Sequence, residues 1–148
     1  MTGDSRRARP SPTQPPTQRI LLVTGLSGAG KTTALRVLED LGWEAIDNFP
    51  IRLLDRLIGG EGEPHAPLAI GFDSRTRGFD PAEIIAGVKE LSARSDLEVT
   101  TLFLDCASGE LERRYNETRR RHPMAAGRPV QDGIKAEREL LEPLRRWA

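Results

Sequence analysis

The stretch GLSGAGKT at residues 25–32 constrains the fold more than any other part of the chain, because it matches the pattern G-x-x-x-x-G-K-[ST] in full. A short aliphatic run, ILLVT, precedes it, and an amphipathic segment follows it. Glycines let such a loop wrap so that successive N–H groups point inward, and the next helix adds the positive end of its dipole. The stretch therefore predicts a strand, a phosphate-binding loop (P-loop, or Walker A motif) and a helix in succession.

Each polar side chain at the end of the P-loop has an expected task. Lys31 places a point charge against the β- and γ-phosphates of a nucleotide, and it is one of three lysines in a chain with 19 arginines. The Thr32 hydroxyl is a predicted ligand of Mg²⁺, and Thr33 is expected to touch the α-phosphate. The predicted nucleotide-binding residues are Gly25, Leu26, Ser27, Gly28, Ala29, Gly30, Lys31, Thr32 and Thr33.

The chain after the P-loop alternates between strand and helix patterns. Apolar runs predict strands at residues 20–24, 43–46, 68–72 and 99–104, with helices between and after them. This order is typical of an α/β fold in which a parallel sheet carries helices on both faces. Because sheets of this kind commonly have about five or more strands, we expect a fragment cut before a fifth strand. The edge left open could pair with another chain, and we expect the full-length protein to be a homo-oligomer.

Local signals set the expected helix boundaries. The first helix is expected at residues 31–41, where Gly42 offers a C-terminal cap. Pro143 is expected to break or kink the last helix. Four polar residues are expected to cap the later helices at their N-termini: Asn48, Asp80, Ser108 and Asp132.

Three predicted strands end in an aspartate, Asp47, Asp73 and Asp105. Because the carboxyl ends of parallel strands form the ligand crevice of such sheets, all three are expected near the nucleotide. Asp73 is the preferred catalytic and metal-binding carboxylate beside Thr32, and Asp105 is its rival for that role. Asp47 would then face a second substrate or the attacking water.

The segment from residue 111 to residue 128 carries six arginines and two acidic residues. Guanidinium groups neutralise transferring phosphoryl oxygens, so this segment predicts a lid over the nucleotide. A solvated basic helix face and an RNA-backbone contact remain the two alternatives. The predicted lid residues are Arg113, Arg114, Arg119, Arg120 and Arg121.

Composition limits the remaining possibilities. The formal net charge is zero, so nothing global favours nucleic acid or an acidic membrane surface as a partner. Cys106 is the single cysteine and cannot form an internal disulfide, which favours the cytoplasm, and no apolar run reaches the length of a membrane span. His65 and His122 fall in predicted loops and are expected on the surface.

The chain divides into two parts by composition. Residues 1–18 contain four prolines and no large apolar residue after Met1, which predicts a disordered leader. Residues 19–148 hold the P-loop domain.

The strings GLSGAGKTTALRVLEDLGWEAIDNFP, FDSRTR and LFLDCASGELERRYNETRRRHPM resemble the RapZ-type nucleotide-binding proteins, also called RNase adapter proteins, of bacteria. The resemblance covers residues 19–148 and implies an N-terminal P-loop domain of kinase-like topology with ATPase and GTPase activity. By that pattern residues 25–32 correspond to the ATP site. The residues corresponding to the GTP site are Asp73, Ser74, Arg75 and Thr76, with departures from the commoner choices at Ser74 and Thr76.

Members of this family continue into a C-terminal domain, which in some relatives binds small regulatory RNA and a phosphosugar and recruits a ribonuclease. Those functions are not carried over to this chain. The sequence leaves three functions open: a regulatory domain that binds ATP and GTP and hydrolyses them slowly, a small-molecule kinase that uses the arginine lid, and an RNA-binding module.

Overall fold

The computed structural model describes residues 18–58, 66–118 and 120–148. The predictions for residues 1–17, for His65 and for Arg119 lie outside these ranges, and Gln18 begins the first strand. The elements in chain order are β1 (Gln18–Gly25), α1 (Lys31–Asp40), β2 (Glu44–Ile46), a 3₁₀ turn (Ile51–Leu53), α2 (Leu54–Leu57), β3 (Leu68–Gly71), α3 (Pro81–Ser92), β4 (Leu97–Leu104), α4 (Ser108–Thr118) and α5 (Val130–Trp147).

The four strands form one parallel sheet in the order β2-β3-β1-β4. Ile20 of β1 pairs with Leu68 on one side and with Val99 on the other. The carboxyl end of β1, which leads into the P-loop, therefore lies between the ends of β3 and β4. This order decides which strand-end carboxylates can reach the P-loop.

Alternate side chains of β1 enter two cores on opposite faces of the sheet. Ile20 and Leu22 belong to the larger core, which α3, α4 and α5 complete with residues such as Val88, Leu111 and Leu141. The smaller core lies under α1, where Leu35 packs beside Val23 and Ala69 of the sheet. The predicted α/β fold with helices on both faces is confirmed.

The helix starts agree with the sequence at one N-cap and differ at two. Asp80 caps α3 as predicted, because its Oδ1 accepts from the N–H groups of Ala82 and Glu83. The prediction for Asn48 is wrong: its φ is 55°, and the 3₁₀ turn begins three residues later, after Pro50. The prediction for Asp132 is also wrong, because α5 begins two residues earlier and Asp132 lies in its first turn.

Helix α5 continues through Pro143 to Trp147, so the predicted break does not occur. A proline removes one backbone donor, but burial of Leu141 and Leu144 on either side holds this last part of the helix against the core. Within the described ranges, none of the helices combines the length and the apolar character that crossing a membrane would need.

Candidate functional site

The P-loop connects β1 to α1 and forms the floor of an open cleft of about 310 Å³. The wall opposite the loop comes from the segment after β3 and from α4 and the residues that follow it. Residues that were predicted in three distant segments of the sequence, namely the P-loop, the loop after β3 and the arginine-rich segment, therefore meet in this cleft. The cleft is lined by Gly25, Leu26, Ser27, Gly28, Gly30, Lys31, Thr32, Asp73, Arg75, Arg114, Tyr115, Thr118, Arg120 and Arg121. Of the predicted P-loop residues, Ala29 and Thr33 do not line it.

The Lys31 ammonium lies between two carboxylates at the carboxyl edge of the sheet. Its Nζ donates to Asp47 Oδ1 at 2.8 Å and to Asp73 Oδ2 at 2.9 Å. The Lys31 side chain is 12% exposed and that of Asp73 is 2% exposed, so water screens this pair only weakly. The P-loop cation is thus held at the place where β2 and β3 end.

Asp73 is buried and ionised. Burial opposes its ionisation, but the hydrogen bond and charge of Lys31 and the Arg75 N–H, which donates to Oδ1 at 2.8 Å, outweigh burial and lower the pKa of Asp73 below its ordinary value of 3.8. Its backbone N–H donates to Thr76 Oγ1 at 3.0 Å, which closes the turn. Asp73 is therefore a preformed negative charge facing the P-loop.

The Asp47 side chain lies so close to the end of β3 that only glycine fits at position 71. A Cβ on Gly71 would lie 2.5 Å from Asp47 Oδ1 and 2.8 Å from Leu35 Cδ1. The same Asp47 oxygen accepts from the Asn48 N–H at 2.7 Å, which accounts for the turn that displaces Asn48 from a capping position. Asp47 was predicted on the side of a second substrate, and it lies beside Lys31.

Asp105, the predicted rival of Asp73, lies away from this cleft. Its Oδ1 accepts from Arg138 Nη1 at 3.0 Å and from the Cys106 N–H at 2.7 Å. The reason is strand order: β4 flanks β1 on the side opposite β3, so its end points into a separate crevice formed with α5. The expectation that all three strand-end aspartates gather at the P-loop is therefore wrong, and two of them do.

The predicted lid arginines separate into two groups. Arg114, Arg120 and Arg121 line the cleft, and Arg114 Nη1 donates to the Gly28 carbonyl at 2.8 Å. Arg113 lies outside the cleft lining and forms ion pairs with Glu110 and Glu117, so for this residue the solvated-face alternative applies. Arg75, predicted for the GTP site, joins the cleft-lining group.

The sequence interpretation missed Tyr115 and Thr118, which line the cleft, and it also missed Glu137 of α5. Glu137 is fully buried, and its Oε1 accepts from the Ser27 N–H at 2.6 Å. Its Oε2 accepts from the hydroxyls of Ser27 and Ser74, each at 2.7 Å. A signal was available, because Glu137 falls between Ile134 and Leu141 on the buried stripe of an amphipathic helix.

His122 is buried against Glu137, so the prediction of a surface histidine is wrong. Its Nδ1 accepts from the Met124 N–H at 3.1 Å, and its Nε2 lies 3.5 Å from Glu137 Oε1. The ring packs on Gly133, where a Cβ would come within 2.7 Å of Nδ1. Burial lowers the pKa of His122 below its ordinary value of 6.5 despite the neighbouring carboxylate.

The free energy of unfolding is expected to fall as the pH drops below 6.5. In the unfolded chain the His122 imidazole takes up a proton near that pH. In the folded protein the buried ring faces Glu137, Tyr115 and Arg75, and its protonation requires a lower pH. Protons therefore favour unfolding, by up to about 1.4 kcal/mol per pH unit. Asp73 adds a second loss below pH 3.8. Urea denaturation of the wild type and of His122→Gln at pH 7.5, 6.0 and 5.0 measures this loss. If the free energy of unfolding changes equally with pH in the two proteins, the prediction is contradicted.

A family model for the RapZ-like N-terminal domain matches residues 18–148. The chain belongs to this family. A nucleotide-binding protein of Novosphingobium aromaticivorans is 75% identical over 136 residues, which cover 88% of this chain and 45% of that protein. A nucleotide-binding protein of Zymomonas mobilis is 50% identical over 153 residues, which cover 100% of this chain and 47% of that protein. This RapZ-like domain thus spans about half the length of the relatives it matches.

Among solved structures, a chain of the Pnkp1/Rnl/Hen1 RNA repair complex superposes on this RapZ-like domain with a TM-score of 0.53. The match has 13% sequence identity and covers 92% of this chain and 47% of that chain. At this identity the likeness concerns the fold alone. The family predicted from the sequence is confirmed.

Proposed function

We propose that the chain is a cytoplasmic nucleotide-binding regulatory domain that binds ATP and GTP with Mg²⁺ and hydrolyses them slowly. The observation that carries the proposal is the position of Lys31, at the end of a complete P-loop, inside a cleft bordered by four arginines. Relatives named as nucleotide-binding proteins support the same function. The cleft concentrates positive charge where a triphosphate would carry its negative charge.

Nucleotide binding would change the partners of Lys31. Its ammonium now neutralises Asp47 and Asp73, and a triphosphate offers it stronger charge-assisted hydrogen bonds. Moving the ammonium to the phosphates would leave Asp73, which lines the cleft, and its neighbour Asp47 without their shared cation. Binding of a triphosphate is therefore expected to be coupled to binding of a second cation.

The residues around Lys31 fit Mg²⁺ as that second cation. The Asp73 carboxylate and the Thr32 hydroxyl both line the cleft, and Mg²⁺ is commonly bound by one or two carboxylates together with substrate phosphates. The pair Asp47 and Asp73 already holds a cation, the Lys31 ammonium, which shows that their oxygens converge. When bound, Mg²⁺ would neutralise charge on the phosphate oxygens.

The arginines around the cleft support a hydrolytic activity that is slow. Arg114, Arg120 and Arg121 can contact a transferring phosphoryl group, but all three are exposed, so water screens their charge. Their place on the cleft lining favours a nucleotide over RNA as their ligand.

ATP and GTP are proposed to compete for one site. The residues predicted for the two nucleotides do not form two clefts, because Asp73 and Arg75 line the same cleft as the P-loop. Ser74 and Thr76 already have partners within the protein, Glu137 and the Asp73 N–H. Calorimetric titration with each nucleotide, with and without Mg²⁺, tests this. We expect one site per chain and no GTP signal once ATP saturates it, whereas two independent sites would contradict the proposal.

Arg114→Ala is expected to lower the affinity for ATP by about tenfold, because it removes a guanidinium from the cleft and frees the Gly28 carbonyl. Arg113→Ala is the matched control, one position along the same helix, and should change the affinity by less than about twofold. Equal effects of the two substitutions, measured by calorimetry, would mean that overall charge rather than the cleft is responsible.

A small-molecule kinase is the second candidate, favoured by a second cleft of about 360 Å³ between the 3₁₀ turn and α3. The loop after β3 separates the two clefts, with Asp73 lining the first and Thr76 lining the second. A phosphoryl acceptor could therefore lie next to the nucleotide. A metabolite screen for acceptor-dependent ADP release tests this function, which requires an increase of several orders of magnitude in turnover.

A further inference from the structure

We propose that Glu137 is a positioning residue that joins the P-loop to the loop carrying Asp73 and so sets the geometry of the nucleotide site. The inference rests on the proposed binding of nucleotide at the P-loop. It assigns a role to α5, an element from which no residue lines the cleft.

The three hydrogen bonds of Glu137 lead to the two loops that form the cleft. Ser27 follows Leu26 within the P-loop and donates both its N–H and its hydroxyl to Glu137. Ser74 follows Asp73 directly and donates its hydroxyl to the same carboxylate. One side chain, 110 residues away in sequence from Ser27, therefore connects the segments that contribute Lys31 and Asp73.

Glu137 is not explained by packing of the core alone. A fully buried carboxylate costs several kcal/mol unless donors surround it, whereas a leucine at this position of α5 would add to the apolar stripe. With an apolar residue, however, the Ser27 N–H would have no acceptor from α5, and the two serine hydroxyls would lose their common partner. The arrangement exchanges core stability for a fixed relation between two loops.

The fixed relation matters because Lys31 and Asp73 act together. Lys31 Nζ lies 2.9 Å from Asp73 Oδ2, and groups that bind phosphate and metal must be held to within about 0.5 Å of their productive places. Ser27 is four residues before Lys31, and Ser74 is next to Asp73, so freeing either serine loosens one side of the pair. The expected consequence is weaker binding of the nucleotide when the Ser27 side is freed, and slower turnover when only the Ser74 side is freed.

Electrostatics alone predicts the opposite sign. A carboxylate beneath an anion-binding loop repels phosphates, so removing its charge while preserving its shape would strengthen ATP binding. Glu137→Gln makes that change, because a glutamine has nearly the same shape and lacks the charge. The sign of the change in affinity therefore distinguishes a positioning role from an unfavourable charge.

The experiment compares ATP binding by the wild type, Glu137→Gln and the matched control Glu139→Gln, an exposed residue on the same helix. We expect the affinity of Glu137→Gln to fall by about tenfold and that of Glu139→Gln to stay within about twofold. Exchange of the Ser27 amide proton, followed by NMR without nucleotide, should accelerate in Glu137→Gln alone. Unchanged or tighter ATP binding by a folded Glu137→Gln would overturn the inference.

Ser74→Ala gives a second, milder test that leaves the P-loop side of the network intact. It frees the Asp73 loop while Ser27 stays bound, so turnover should fall by about fivefold or more with the dissociation constant for ATP nearly unchanged. Equal losses in both quantities would contradict separate roles for the two loops.

If the wild type binds neither ATP nor GTP, the proposed function fails with the inference. If the wild type binds and the variants match it, only the inference fails.

Discussion

Lys31→Ala is expected to lower the affinity for ATP and for GTP by about 100-fold or more. The substitution removes the P-loop cation, and it also leaves Asp47 and the cleft-lining Asp73 without the ammonium that now neutralises them. Both effects weaken the binding of an anion. Calorimetric titration measures the change, and loss of slow phosphate release should accompany it.

A second measurement on the same variant does not depend on nucleotide. The Lys31 hydrogen bond and charge help to lower the pKa of Asp73 below 3.8, so in Lys31→Ala the Asp73 pKa should rise, as burial then prevails. NMR titration of the Asp73 carboxyl carbon reads this directly. Lys89→Ala, on the exposed face of α3, is the control that should alter neither quantity. Full nucleotide affinity in Lys31→Ala would mean that the backbone amides alone form the site.

Local patterns in the sequence predicted the elements that build the floor of the site. The P-loop, the strand before it and the helix after it depend on neighbouring residues, and each lies where the motif requires. Asp73 was predicted from the apolar run that it follows, which forms β3. Prediction succeeded where local motifs and periodicity were sufficient.

Strand order was the information that the sequence lacked for Asp105. The runs that end in Asp73 and Asp105 look alike, since each is apolar and closes with an acid. They separate only because β3 and β4 flank β1 on opposite sides, where Asp105 finds Arg138 of α5 instead of Lys31. No local pattern states on which side of a parallel sheet a strand is added.

Long-range burial was the second missing piece, and it concealed Glu137 and His122. Both residues are polar, and polar residues are mostly exposed. His122 was therefore predicted on the surface, and Glu137 was not singled out. In the fold the two side chains meet beneath the P-loop, where Glu137 finds donors from Ser27 and Ser74. The role of Glu137 depends on contacts between segments more than 60 residues apart, such as the 63 residues from Ser74 to Glu137.

Gly25→Ala is expected to lower the free energy of unfolding by about 4 kcal/mol or more, which is exceptional for the addition of one methyl group. Gly25 ends β1 with a φ of 150°, in a region that side chains rarely adopt. A Cβ there would lie 2.2 Å from the Leu104 carbonyl oxygen and 2.8 Å from the Leu104 nitrogen. These are backbone atoms of the paired strand, so they cannot move aside as the end of a flexible side chain could.

The damage would also reach the cleft. The Leu104 oxygen that the methyl group would displace accepts from the Leu26 N–H at 3.1 Å, which is the bond that fixes the start of the P-loop on β4. Gly42→Ala is the matched control, because Gly42 has a φ of 95° and nothing lies within 4 Å of its would-be Cβ. Strain alone should cost about 1–2 kcal/mol there. Equal losses in urea denaturation would show that backbone strain, and not the close approach of two strands, makes glycine necessary at the first position of this P-loop.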